Sequence, residues 1–179
     1  ILTSLRKIIK DNIEQDIFPR LKIIEHFRGK RKDLSFDDDF IDRLLKTQKD
    51  DSECFSILAL LLPDLDYSRS LHKDHLHPAS AFRNLDNYQF LLENTKLKEF
   101  YSNSENWNSI LNLHLLDASK NISKQDTPLE QWFEKEKGFN KNMIHISEET
   151  SLNFENFKDF IEERYKNLKS ILQHLSGGK

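Results

Sequence analysis

The sequence predicts an α+β fold, mainly helical, on three observations. Glycine and proline are scarce, 4 of each in 179 residues, so there is little of the turn punctuation that a many-stranded sheet needs. Apolar residues recur at steps of three and four over most of the chain, as one face of a helix does. Two short segments, YSRSLHKDHLHP (67–78) and SILNLHLLD (109–117), break that rhythm between turn-formers and read as strands.

In chain order, Leu2, Leu5, Ile8, Ile9, Ile13 and Ile17 mark a first helical face, which Pro19 bends or restarts. RLKIIEHF continues it, and RGKRKDLS (28–35) is a loop with Ser35 as a plausible cap for the helix FDDDFIDRLLK. The triple aspartate 37–39 falls in the first turn, where the helix dipole favours acids, so it is not read as a metal cluster. SECFSILALLL is apolar nearly all round and reads as a buried helix ended by Pro63. These segments form a helical subdomain over 1–63, and residues 64–179 form a second unit. Within it, NYQFLLENTKLKEFYSNSENWN (87–108) is first helical and then loop-like. PLEQWFEKEK opens on Pro128, at an early helical position where the missing N–H does no harm. The closing helix carries Phe154, Phe157, Phe160, Ile161, Leu168, Ile171, Leu172 and Leu175 as a core-packing stripe.

Composition narrows the function classes. The net charge of −3 and pI near 6.2 are not the footprint of nucleic-acid binding by bulk electrostatics, so any such binding must rest on local patches or a further domain. Cys54 is the only cysteine, which excludes an internal disulfide and a cysteine-rich zinc site and agrees with a reducing, cytoplasmic setting. No stretch reaches the roughly 18 apolar residues of a membrane span. The only methionine is Met143, so Ile1 reads as an internal position of a longer protein.

The segment HKDHLHPASAF (72–82) raises the question of chemistry. Hydrolysing a phosphodiester needs an activated water, a cation to neutralise charge at phosphorus, and relief for the leaving oxygen. Histidine can take the proton of water near neutral pH. A hard divalent ion needs only one or two oxygen ligands from the protein. Asp74-His75 offers both groups. Adjacent strand residues face opposite ways, so both reach one phosphate only if the strand ends there, a break that Pro78 favours. If the two strands pair, Asn112 faces the loop holding His75, and Asn121 lies at the mouth of the following helix.

The ordered set DHLHPASAF … NSILNLHLLDASKNISKQDTPLEQW resembles an HNH (His-Me finger, ββα-metal) nuclease. More narrowly, it is similar to the C-terminal nuclease domain of the GmrSD-type restriction endonuclease family. Asp74, His75, Pro78, Asn112, Leu113, Asn121, Lys124 and Trp132 fall in that family's order, and the likeness extends over most of the chain. The resemblance implies a ββα-metal finger within 64–179 and metal-dependent DNA cleavage in a bacterial restriction or anti-phage defence protein. His75 would be the general base. Asp74 and Asn121 would ligate Mg²⁺ or Mn²⁺, the amide favouring a hard ion over zinc. Asn112 would hold the loop and orient the His75 ring, and Lys124 would support the site or contact phosphate. DNA is the implied substrate, and an N-terminal nucleotide-dependent, ParB-like domain the implied partner. That domain is not among these residues, and the acidic balance sits awkwardly with cutting alone. The competing reading is therefore a degenerate HNH fold acting as a DNA-binding or protein-interaction module.

Plainer readings cover the rest. An isolated Asp-His pair usually caps or decorates a surface, and here the ordered set carries the functional reading. Asn121 alone would be a helix-cap asparagine and Asn112 alone a polar strand residue. His72, His75 and His77 could suggest zinc, but no cysteine or second close histidine pair supports it. RGKRK reads as solvated surface with some reach to a phosphate backbone, and Trp132 as a core anchor.

Overall fold

The computed structural model describes residues 1–14, 17–30, 33 and 36–175. Helix α1 (Leu2–Lys10) buries none of its residues, and Leu2, Ile13 and Ile17 are 80%, 76% and 79% exposed. The first apolar face is thus shorter than its periodicity suggests. Helical structure stops near Asp11, and the Asn12 amide turns back onto the Ile8 carbonyl at 2.7 Å. Helix α2 (Arg20–Phe27) restarts after Pro19 and buries Ile23, Ile24 and Phe27.

Helix α3 (Asp38–Leu45) is capped by Asp37, whose carboxylate accepts from the Phe40 N–H at 2.7 Å. Asp38 and Asp39 follow in its first turn, where their charge meets the positive end of the dipole. The cap expected at Ser35 lies outside the described residues. Helix α4 (Cys54–Leu61) buries Cys54, Ile57, Leu58 and Leu61 and stops before Pro63.

Strands β1 (Leu71–His75) and β2 (Leu113–Asp117) form an antiparallel pair in which Leu71 faces Asp117 and His75 faces Leu113. Between them run two 3-10 turns, Ala79–Phe82 and Leu85–Asn87. The short helices α5 (Gln89–Leu92), α6 (Thr95–Ser102) and α7 (Ser104–Trp107) follow. β2 is shorter than the apolar run that signals it. Residues Ile110–Asn112 form a 3-10 turn instead, because the Asn112 side chain supplies bonds that a strand would make with its backbone.

Helix α8 (Ala118–Lys124) leaves β2 directly, capped by Asp117. Helix α9 (Leu129–Lys135) begins after Pro128, and α10 (Phe157–Leu175) closes the chain. The α10 stripe buries Phe157, Phe160, Ile161, Leu168 and Leu172. One hydrophobic cluster joins it to Ile41, Leu45 and Leu58, so the core runs continuously across position 63. Tyr101 secures the start of α10, donating to the Phe154 carbonyl at 2.8 Å and accepting from the Phe157 N–H at 3.1 Å. Trp132 is 3% exposed and packs on Phe139 with ring centroids 4.4 Å apart. No helix among the described residues is long and apolar enough to cross a membrane.

Candidate functional site

His75 is the last residue of β1, and the chain turns away at once. The turn is held by Asn112, which is fully buried. Its carbonyl oxygen accepts from the His77 N–H at 2.9 Å, and its amide donates to the His77 carbonyl at 2.9 Å and to the Trp107 carbonyl at 2.8 Å. One side chain thus serves as a miniature strand neighbour for His77 and ties the turn to the end of α7. The backbone carbonyl of Asn112 also accepts from the Leu76 N–H at 2.8 Å, carrying the pairing one step beyond the strand.

The His75 ring is oriented by a different asparagine. Its Nε2 lies 2.9 Å from the Asn108 Oδ1. A chain of polar groups fixes the direction of that bond. The Lys46 carbonyl can only accept, so Gln48 points its amide NH₂ there, at 3.0 Å. Gln48 Oε1 is then left to accept from the Asn108 amide at 3.3 Å, which turns the Asn108 oxygen to His75. The imidazole therefore carries its proton on Nε2 and keeps a lone pair on Nδ1. Burial pushes its pKa down to about 4, opposed by the Asn108 bond and Asp74 and assisted by the charges of Lys49 and Lys124. At neutral pH the ring is uncharged and can accept a proton.

Around the ring stand Trp107, with centroids 5.9 Å apart, and Lys49, whose Nζ is 3.4 Å from Nδ1. Lys49 reaches the site because its loop is fastened to the segment before β2. The Lys49 N–H donates to the Asn108 carbonyl at 2.9 Å, and the Ile110 N–H donates to the Thr47 carbonyl at 3.0 Å.

Asp74 faces the other side of the strand, as alternation requires, and is paired with His114 on β2. Its Oδ2 accepts from the Lys124 ammonium at 2.8 Å, and the same ammonium donates to the His75 carbonyl. Lys124 is 1% exposed and lies 5.8 Å from the centre of the Trp132 ring. Burial lowers its pKa, while the Asp74 charge acts to raise it. Asn121 lies one turn before Lys124 on α8 and is half-buried. A carboxylate and an amide oxygen are hard donors, which suits Mg²⁺ or Mn²⁺ better than zinc.

The remaining histidines go elsewhere. His72 is exposed near Ser70. His77 is 1% exposed, edge-on to Phe160 at 4.8 Å and Phe157 at 5.3 Å, and its Nε2 has no hydrogen-bond partner among the described residues. His114 is 2% exposed and packs edge-on to Phe139 at 5.4 Å. Among the described residues no trio of His, Cys, Asp or Glu side chains is grouped to hold a metal ion.

Sequence reasoning missed four of these groups. Lys49, Gln48 and Asn108 lie in polar loops without periodicity, and nothing local pairs them with His75 across 26 and 33 residues. The fourth had a signal. Arg164 stands three residues after Ile161 and four after Phe160, a core position in the α10 stripe, and it is 1% exposed. Its guanidinium donates to the Ile144 carbonyl at 2.8 Å, the Leu113 carbonyl at 3.2 Å and the Leu111 carbonyl. The carbonyls of Leu111 and Leu113 flank Asn112, so α10 braces the site from behind.

Comparison with protein-family models gives no match to this chain, and comparison with curated proteins gives none either.

Proposed function

We propose that this chain hydrolyses DNA phosphodiester bonds, with His75 as the general base, as the catalytic part of a bacterial restriction or anti-phage defence protein. One observation carries the reading: burial keeps the His75 imidazole neutral and the Gln48–Asn108 relay fixes its tautomer, with the Nδ1 lone pair turned toward the Lys49 ammonium, which has no carboxylate within ion-pair distance among the described residues. That is the arrangement a base needs to draw a proton from water beside an anionic substrate. The order of β1, β2 and α8 also agrees with the ββα finger that the sequence resemblance implies.

In this reading His75 Nδ1 takes the proton of the attacking water, and Asn108 stabilises the resulting imidazolium through the Nε2–H bond. Asn112 keeps the turn after β1 closed so that the ring cannot swing. Asp74 and Asn121 would hold the Mg²⁺ or Mn²⁺, which would supply charge stabilisation at the phosphorus and on the leaving oxygen. Lys124 fixes the Asp74 carboxylate from within. Target choice would come from a nucleotide-dependent, ParB-like partner domain.

The Lys124–Asp74 ion pair favours a second reading. A buried ammonium already compensates the carboxylate that a metal would use, as expected of a degenerate finger serving as a DNA-binding or protein-interaction module. Nicking of supercoiled plasmid in Mg²⁺ or Mn²⁺ separates the two. The catalytic reading expects relaxed circles from the native chain and none from His75→Ala. Equal activity in His75→Ala overturns it, and a complete lack of nicking favours the module.

A further inference from the structure

We propose that Lys49 is a substrate-binding residue: its ammonium holds a non-bridging oxygen of the phosphate at the His75 site, so that the helical segment before residue 63 supplies part of the site. The identity of the anion rests on the nuclease reading above. The cationic subsite itself rests on geometry.

Three lysines surround the end of β1, and two are already engaged. Lys73 donates to the Lys49 carbonyl, and Lys124 donates to Asp74 and the His75 carbonyl. Lys49 has no carboxylate within ion-pair distance among the described residues. Asp51 of the same loop is turned to the Gln48 N–H at 2.7 Å. The Lys49 contact with His75 Nδ1, at 3.4 Å, is long for a hydrogen bond. A half-buried ammonium with so weak a partner is a ready site for an anion.

The loop that carries it is held firmly. The Lys49 and Ile110 backbone bonds together make an isolated antiparallel bridge between Gln48 and Ser109, and Lys73 clamps the Lys49 carbonyl. The backbone position of Lys49 is thus fixed relative to His75, and the side chain alone adjusts. An oxygen bound to Lys49 lies within reach of water at Nδ1. Without substrate the ammonium covers the lone pair, and a phosphate would draw it aside and open Nδ1 to water.

The test is binding of a short labelled DNA duplex to the native chain in EDTA, where no divalent ion supports cleavage, across a series of salt concentrations. Lys49→Met keeps the aliphatic stem and removes the charge, and Lys49→Arg restores it. Lys49→Met should weaken binding several-fold at low salt and flatten the slope of log Kd against log salt by about 1, the loss of one phosphate contact. Lys49→Arg should recover both, and all three proteins should melt alike. Unchanged affinity and slope in Lys49→Met, or no DNA binding by the native chain, overturns the assignment. Nicking that depends on His75 but not Lys49 removes only the Lys49 role. Lys49-dependent binding without nicking removes only the nuclease reading.

Discussion

At the scale of single residues, the site is governed by where two asparagines point. Asn112 satisfies three backbone groups in a buried turn, and removing it strands them away from water. Asn112→Ala should therefore lower stability by about 2–3 kcal/mol, since unpaired buried groups cost ~1–3 kcal/mol each and relax in part. Chemical denaturation checks this, and an unchanged midpoint would show that the turn holds without the amide. Asn108 acts on chemistry rather than on stability. With the His75 pKa near 4, protonation removes the base only as pH falls through that value, so cleavage should stay level from neutrality down to about pH 5. Asn108→Asp places a carboxylate on Nε2–H and raises the pKa, moving the acid limb of the pH–rate profile toward neutrality. A limb that stays in place would separate Asn108 from the base.

At the scale of elements, α10 illustrates what the sequence makes legible and what it hides. The stripe from Phe157 to Leu172 is readable because burial of one helical face imposes its own period. α4 and both strands were legible for similar reasons, namely an all-round apolar run ended by proline and two short runs between turns. Arg164 sits on the same period but makes sense only once the carbonyls of Leu111, Leu113 and Ile144 have been brought to it. The same holds for the site. Asp74, His75, Asn112 and Asn121 were singled out by the motif order of the family the sequence resembles, whereas Lys49, Gln48 and Asn108 acquire meaning only through contacts between distant loops. α1 shows the reverse failure: its periodicity is clear, yet Leu2 stays exposed and Leu5 and Ile8 are only half-buried. Arg164→Lys should melt below the native protein by about 2 kcal/mol, because a single ammonium cannot address three separated carbonyls as the planar fork does. Equal melting would mean that those carbonyls are satisfied otherwise.

At the scale of the whole molecule, buried histidines couple the fold to acid. Burial pushes His77 and His114 down to about 3 and His75 to about 4, and lowers His145 as well. A depressed histidine pKa means that the unfolded chain binds protons more readily than the folded one. Their contribution is thus fully present above the unfolded value of ~6.5 and is lost progressively as pH falls from there toward 3. Thermal unfolding followed across pH 8 to 4 should show a melting temperature that is flat above about 7 and declines steadily below it. A flat profile down to pH 4 would contradict the burial of neutral imidazoles in this core.

The account depends most directly on the state of one ring, and nitrogen-15 NMR of the imidazoles reports it. With the protein labelled and His75 assigned by comparison with His75→Ala, the spectrum at pH 7 should show a protonated Nε2 and a bare Nδ1. A proton on Nδ1, or a charged ring at that pH, would leave no lone pair on Nδ1 to accept from water and would overturn the role assigned to that nitrogen.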